Sequence, residues 1–242
     1  DCSGMQCPGP IMKVFESMNQ LQDGETMEVT ASDPGFLSDI EAWCRRTGNT
    51  LISKGPRDGA YVAAVRKGVG SAAPVAAASS PGTAVSADGK TIIVFSGDLD
   101  KVLASFIIAN GAAAMGRQVT MFFTFWGLTV LRKAQKQAVK KTPMESMFGT
   151  MMPRGSRKLK LSRMNMGGMG TAMMKKIMND KNVDSLEALI KKAMDAGVKI
   201  VACTMSMDVM GIKEEELIDG VTLGGVGAYL GDAEESNVNL FI

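Results

Sequence analysis

The chain has 242 residues, of which 45% are hydrophobic and 21% are charged, as in ordinary globular proteins. This length accommodates one large domain or two smaller ones, with room for a core. The formal charge of +2 argues against a nucleic-acid surface over the whole chain. No histidine is present, which excludes histidine acid–base catalysis, Cys–His nucleophile pairs and histidine metal ligands. Thiol chemistry would then need activation by a helix dipole, backbone donors, lysine or arginine.

The first ten residues, DCSGMQCPGP, place Cys7 directly before an amphipathic helical run. Pro8 and Pro10 suit the first turn of a helix, where a missing N–H is no loss. Cys7 would therefore take the N-cap position, where the helix dipole and the Gly9 N–H lower the pKa of a thiol. This pattern predicts a reactive cysteine. The alternative is a small apolar residue that happens to precede a helix.

Residues 1–67 predict a compact α/β unit with two helices packed on one sheet, and with a further strand before Asp1. We expect Ser38 or Asp39 to cap the second helix, and Cys44 to pack in the core rather than react. The predicted elements are a helix from Cys7 to about Gln22, a strand around Thr26–Ala31, a helix from Phe36 to Gly48, and strands Thr50–Lys54 and Ala60–Arg66 joined by a turn at 55–59.

Residues 68–89 predict a flexible linker. Seventeen of these 22 residues are Gly, Ala, Ser or Pro, and no charge appears before Asp88. Such a segment cannot bury enough surface to fold, and as a coil it spans roughly 25 Å. We therefore expect a tether between two domains.

Residues 90–242 predict a doubly wound, mostly parallel sheet with helices on both faces, because buried apolar strands alternate with helices. The run from Val102 to Leu131 carries only Arg117, but polar and glycine breaks leave pieces too short to span a membrane. The expected strands are 91–95, 118–125, 198–202, 221–223 and 237–242, and the expected helices are 99–115, with Ile107 among its sheet-facing residues, 171–179, 185–196, a short one near Met210 capped by Asp208, and one opened by the glycines at 224–227. That glycine cluster lacks the GxGxxG spacing and a Walker lysine, which favours a plain turn over a nucleotide site.

Cys203 follows the predicted strand 198–202. In open α/β sheets the reactive crevice lies beyond the carboxyl ends of the strands, so this position favours a reactive thiol over a buried one. Cys2, Cys7, Cys44 and Cys203 show no CxxC spacing and predict neither a zinc site nor a disulfide scaffold. Without a visible signal peptide, we expect a reducing, cytoplasmic setting.

The segment from Met144 to Met178 contains ten methionines, and seven Lys or Arg against one acid. The simplest interpretation is a mobile loop followed by a helix with a solvated basic face. A second is an adaptable apolar surface for a partner, since methionine repacks readily. A third is contact with a membrane surface or an anionic substrate.

The motif Cys7-Pro8-Gly9-Pro10, with Asp1 and Gly4 before it, resembles the CPxP motif of the TusA (SirA-like) sulfur carriers over residues 1–67. This resemblance implies a two-layer α/β sandwich that carries sulfur as a persulfide on Cys7. The additional Cys2 implies, as an alternative, a disulfide within this domain.

Residues 90–242 resemble the DsrE/DsrF-like family in its peroxiredoxin-like, Met-rich branch, on the strand-end Cys203 and the glycine eight residues later. The resemblance implies an oligomeric domain with Cys203 as persulfide acceptor. Ser206 stands where many relatives have a second cysteine, and Met210 where they have arginine. The first departure favours a one-thiol carrier.

The tandem also resembles the C-terminal part of fusions that begin with a flavin-dependent CoA-disulfide reductase-like (pyridine nucleotide-disulfide oxidoreductase) unit and a rhodanese, and the start at Asp1, inside a motif, agrees with such a piece. We expect no cofactor or metal in this chain, with FAD and CoA confined to an upstream portion. These resemblances thus predict a sulfur relay between Cys7 and Cys203. A rhodanese or reductase-like protein would donate the sulfur, and a sulfur-acceptor protein would receive it. The alternatives are a thiol redox protein using Cys7 with Cys2 or Cys203, and a non-catalytic interaction module.

Overall fold

A computed structural model of the chain describes residues 1–5, 9–68 and 88–242. By their contacts these residues form two compact units, one of residues 1–87 with 223–235 and one of residues 88–222 with 236–242. The predicted tether falls almost entirely in the undescribed range 69–87. The predicted division into two independent domains, residues 1–67 and residues 90–242, thus stays a prediction.

Within the first unit, residues 9–66 form two helices on a three-stranded antiparallel sheet, with β3 between β1 and β2. Its core joins the helices to the sheet through buried apolar residues such as Val14, Ile40 and Val65. This arrangement confirms the predicted two-layer α/β unit. Its elements are α1 (Gly9–Gln20), β1 (Thr26–Ala31), α2 (Phe36–Thr47), β2 (Thr50–Arg57) and β3 (Ala60–Arg66).

The β2–β3 hairpin is tighter than the sequence suggested. Gly55, Pro56 and Arg57 continue β2, so the turn is only Asp58-Gly59, and both residues have positive φ (51° and 80°). Two positive φ values are typical of a type I′ turn, whose twist matches the strands. The predicted five-residue turn was wrong because the proline lies in β2, at the edge of the sheet, where it is tolerated.

The predicted caps of α2 were also wrong. The N-cap is Gly35, whose N–H donates to Asp33 Oδ1 (2.8 Å). Asp39 lies inside the helix, and its Oδ1 accepts from the N–H groups of Gly225 and Ala228 (2.9 Å each) at the start of another helix of the first unit, α8 (Val226–Glu234). The carboxylate thus does cap a helix end, but not that of its own helix.

The second unit is built on a five-stranded sheet of order β7-β6-β5-β4-β8. Its pairings β4–β5, β4–β8 and β5–β6 are all parallel, which confirms the doubly wound, mostly parallel architecture. The elements that belong to this sheet and its covering helices are β4 (Gly89–Val94), α3 (Leu99–Ala114), β5 (Val119–Phe123), α4 (Pro143–Met151), α5 (Met169–Asp180), α6 (Leu186–Asp195), β6 (Lys199–Cys203), α7 (Thr204–Met210), β7 (Thr222–Gly224) and β8 (Ser236–Phe241).

Burial explains why the central strands were recognisable. Every residue of β5 is buried, as are the last four of β6, so both strands are apolar almost throughout. The helix α3 buries Val102, Leu103 and Phe106 as expected, but Ile107 is 51% exposed and was wrongly assigned to its inner face.

The methionine-rich segment is more ordered than a loop. Its first part forms α4, which begins with a capping box between Thr142 and Glu145, and its second part contains α5. No helix among the described residues is both long and apolar enough to cross a bilayer.

Candidate functional site

Cys203 lies at the carboxyl end of β6 and is also the N-cap residue of α7. The strand ends there because the backbone leaves the buried sheet and turns directly into the helix. Cys203 is a free thiol and is only 5% exposed. The structure therefore confirms the predicted strand-end position, but the expectation of a thiol that is not buried was wrong, because Cys203 lies in the core where the sheet meets α7. Its reactivity stays a prediction.

The neighbouring strand holds α7 in place. Phe123 of β5 pairs with Ala202 of β6, so Thr124 and Cys203 follow side by side at the carboxyl edge of the sheet. The hydroxyls of Thr124 and Ser206 are hydrogen-bonded at 2.7 Å. Ser206 thus fastens the first turn of α7 to the end of β5.

A buried hydroxyl without a partner lies next to Cys203. Thr204 is 4% exposed, and its Oγ1 makes no hydrogen bond. A buried polar atom normally finds a partner, because leaving it unpaired costs about 1–3 kcal/mol. Thr204 therefore leaves one unused donor at the start of α7.

The far end of α7 is held by a buried ionic network around Glu216. This carboxylate is 1% exposed and pairs with Arg132 and Arg154 (3.2 Å each) and with the Lys141 ammonium. Burial alone would raise the pKa of Glu216, but hydrogen bonds from Lys141 and from the Lys213 N–H outweigh it and lower the pKa to about 2. Glu216 is thus a buried anion at neutral pH.

Lys141 links this network to α7. Its Nζ also donates to the carbonyl of Gly211 (2.6 Å), the residue that ends α7 with a φ of 63°. A side chain at Gly211 would meet Glu145 of α4, since a Cβ there would lie 2.7 Å from the Glu145 Cβ. Glu145 in turn pairs with Lys213 (2.8 Å), and its hydrogen bonds from Lys213 and the Thr142 N–H lower its pKa to about 2. Both ends of α7 are therefore fixed.

Sequence reasoning missed this ionic network. Arg132 and Glu216 are separated by 84 positions, so no local pattern joins them. The sequence did carry one signal for a buried ion pair, which is that Arg132 directly follows the apolar run 127–131. A cation in a buried segment requires an anionic partner. The predicted cap Asp208 was also wrong, since it lies inside α7.

The predicted N-terminal site is only partly described. Cys7 and Pro8 lie outside the described residues, and so does the hypothesis that Cys7 pairs with Cys2. Gly9 and Pro10 are the first two residues of α1, as the motif predicted. The described part of α1 begins two residues after Cys7, and the predicted N-cap position of Cys7 stays a prediction.

The residues before Cys7 are held against the sheet. The Cys2 N–H donates to Thr30 O (2.7 Å), and Cys2 forms a parallel bridge with Ala31. Its thiol is free and 2% exposed. Asp1 Oδ1 accepts from the N–H and hydroxyl of Ser3. Asp1 thus organises a local turn, and Cys2 belongs to the core.

Cys44 is a packing residue, as expected. It is 2% exposed on α2, and burial raises the pKa of its thiol to about 12. A thiol with such a pKa is neutral at physiological pH and is a poor nucleophile. The glycine cluster at 224–227 forms the end of β7 and the start of α8, with Gly225 as N-cap.

These features define a two-layer α/β unit and a parallel-sheet unit with a thiol at a strand end. The chain belongs to the DsrE/DsrF/DrsH-like family, whose model matches residues 87–241. Residues 1–67 match the family described as sulfurtransferase TusA.

Individual relatives agree with both matches. The YrkE protein of Bacillus subtilis is 56% identical over 152 residues, which cover 63% of this chain and 95% of YrkE. The sulfur carrier protein DsrE2 of Allochromatium vinosum is 41% identical over 155 residues, or 62% of this chain and 96% of DsrE2. The sulfur carrier protein TusA of the same organism is 33% identical over 67 residues, or 28% of this chain and 88% of TusA.

Proposed function

We propose that this protein relays sulfane sulfur, which it carries as a cysteine persulfide on Cys7 and exchanges with Cys203 or with external thiols. The observation that carries the proposal is that the chain matches two families in tandem. Relatives named DsrE2 and TusA are both sulfur carrier proteins by name. The free, strand-end thiol of Cys203 supports it.

The proposed chemistry is an exchange that conserves sulfur and electrons. A Cys7 thiolate attacks the outer sulfur of a donor persulfide, a new S–S bond forms, and the donor leaves as a thiolate. The same exchange then moves the outer sulfur between Cys7 and Cys203. The start of α1 would stabilise the Cys7 thiolate, and the burial of Cys203 would shield its persulfide from water and stray thiols.

The partners in this proposal follow from its chemistry. A rhodanese or a CoA-disulfide reductase-like module would supply the sulfur, with any FAD or CoA bound by that donor, and a sulfur-acceptor protein would remove it. A homo-oligomeric state and a cytoplasmic location stay predictions.

Sulfur loading tests the relay directly. The full chain is incubated with a sulfane-sulfur donor and digested, and the cysteine peptides are weighed. We expect a gain of one sulfur atom on Cys7 that is lost in Cys7→Ser, and a gain on Cys203 that is lost in Cys203→Ser. Cys44→Ser is the matched control and should load normally, because that thiol stays protonated.

Two outcomes would contradict the relay. Loss of two hydrogens across a pair of cysteines, without any sulfur adduct, would favour the thiol redox alternative. Normal activity of the donor–acceptor system with both Cys7→Ser and Cys203→Ser would favour a non-catalytic interaction module.

A further inference from the structure

An exposed apolar surface covers part of the methionine-rich segment. Exposed fractions of its six large side chains run from 39% for Met174 to 73% for Met164. Clusters of exposed apolar side chains on folded proteins mark interaction sites. We call this the basic methionine surface, which is residues 157–181 with the exposed side chains Met164, Met166, Met169, Met173, Met174 and Ile177.

The backbone that presents these side chains is closely fitted. Met164 and Met166 have φ values of 56° and 43°, which side-chain-bearing residues rarely adopt. The Met164 carbonyl packs so tightly on Gly170, in the first turn of α5, that a Cβ there would lie 1.9 Å from the oxygen. The side-chain oxygen of Asn165 accepts from the Thr171 hydroxyl (2.8 Å). The loop is thus closed onto α5 while its methionines face solvent.

The helix continues the same surface. Met169, Met173 and Ile177 recur every fourth residue of α5, so they form a stripe on one side of it. The stripe from Met169 to Ile177 covers eight residue steps of α5, or roughly 12 Å. That length suits a helical segment of about two turns.

The segment that carries the stripe is strongly basic. Asp180 is the only acid between residues 157 and 181, against seven exposed cations. No salt bridge joins these cations to a carboxylate in the part of the chain that the structure describes, and Lys175 instead donates to the Arg157 carbonyl. The seven cations are Arg157, Lys158, Lys160, Arg163, Lys175, Lys176 and Lys181.

The charge and the side-chain chemistry of the basic methionine surface indicate which kind of partner it binds. A second copy of this chain would place its own seven cations against those of the first copy, and like charges repel in such an isologous interface. Membrane-surface helices rely on Trp, Phe and Leu anchors, whereas residues 157–181 contain no aromatic residue. Methionine instead adapts to the irregular relief of a protein helix. We propose that the basic methionine surface docks an acidic amphipathic helix of a partner protein.

The first test uses a labelled synthetic helical peptide with leucines on one face and glutamates on the other. Fluorescence anisotropy with the full chain should show saturable binding that weakens as salt rises, because the charge attraction is screened. A scrambled peptide of the same composition should bind at least about tenfold more weakly, since it has no apolar face.

Substitutions locate the contact. Met169→Gln with Met173→Gln should weaken peptide binding about tenfold or more, because the apolar stripe is lost. Met115→Gln, at the end of α3 and 75% exposed, is the matched control and should leave binding unchanged. Lys160→Gln with Lys176→Gln should reduce the salt dependence, whereas Lys136→Gln should not. Circular dichroism checks that every variant is folded.

Methionine oxidation gives an independent map. Bound peptide should protect Met169 and Met173 from peroxide and leave Met115 unprotected, as read by mass spectrometry of the sulfoxides. Absence of saturable peptide binding to the folded chain, or equal weakening by Met115→Gln, would overturn the proposal. So would tight binding to phosphatidylglycerol vesicles that the peptide fails to displace, which would identify a membrane surface instead.

Discussion

Glu216 is the charged side chain on which the end of α7 depends. It is buried among Arg132, Lys141 and Arg154, so its negative charge offsets the free-energy cost of removing these cations from water. Burial lowers the pKa of Arg132, the charge of Arg154 adds to this effect, and Glu216 opposes both. Removing the carboxylate would therefore leave a buried arginine uncompensated.

We expect Glu216→Gln to lower the free energy of unfolding by about 3–5 kcal/mol at neutral pH. Urea unfolding measures the change. Asp219→Asn removes an exposed carboxylate paired with Lys133, where Asp219 is 97% exposed, and should cost less than about 0.5 kcal/mol. Equal effects of the two substitutions would show that burial of the pair contributes nothing.

The same group makes stability depend on pH. Its pKa in the folded state is about 2, below the ordinary 4.5, so its stabilising effect is complete above the ordinary value and is lost as the pH falls toward 2. The difference in unfolding free energy between wild type and Glu216→Gln should therefore shrink steadily from pH 5 downward. A constant difference over that range would contradict the assigned pKa.

Thr204 leads to the opposite expectation. Its buried hydroxyl makes no hydrogen bond, so Thr204→Val removes an unpaired polar atom while keeping the shape of the side chain. We expect the free energy of unfolding to rise by up to about 1–2 kcal/mol. Thermal unfolding of the reduced protein measures it, and a clear destabilisation would show that the hydroxyl has a partner in solution.

At the scale of elements, the hairpin between β2 and β3 depends on its two-residue turn. Gly59→Ala forces a side chain into a φ of 80° and should destabilise the protein by about 1 kcal/mol. Gly55→Ala is the matched control, because Gly55 lies inside β2 without a positive φ, and a Cβ added there would meet no atom within 4 Å. Equal urea midpoints for the two variants would contradict the turn assignment.

The predicted elements succeed or fail according to where their signals lie. The core helices and strands were recognisable because burial imposes an apolar period on the sequence, as in β5 and α6. The predicted N-cap roles of Asp39 and Asp208 were wrong because the sequence alone shows only which N–H groups lie nearby along the chain. Asp39 in fact accepts from residues almost 190 positions away.

At the scale of the whole molecule, the proposed relay joins two thiols of one chain through the predicted tether. Transfer from Cys7 to Cys203 within one chain would occur at an effective concentration of the order of mM. The rate at which Cys203 gains sulfur in wild-type protein should therefore be independent of protein concentration. A mixture of Cys7→Ser and Cys203→Ser chains should instead transfer in proportion to concentration, as followed by quenched mass spectrometry. Proportional rates in the wild type would show that transfer takes place between molecules.

Apart from α4, which lies where a loop was expected, the sequence by itself determined the order of helices and strands, the strand-end position of Cys203 and the motif around Cys7. Each of these follows from local periodicity and turn chemistry. Tertiary structure alone decided the burial of Cys203, the pairing of Ser206 with Thr124 and the ionic network around Glu216. Each of those depends on groups that are distant along the chain and meet only when the parallel sheet is assembled. Tertiary structure likewise decided which methionines of the segment 144–178 face solvent, since the sequence left a loop, a partner surface and a membrane surface open.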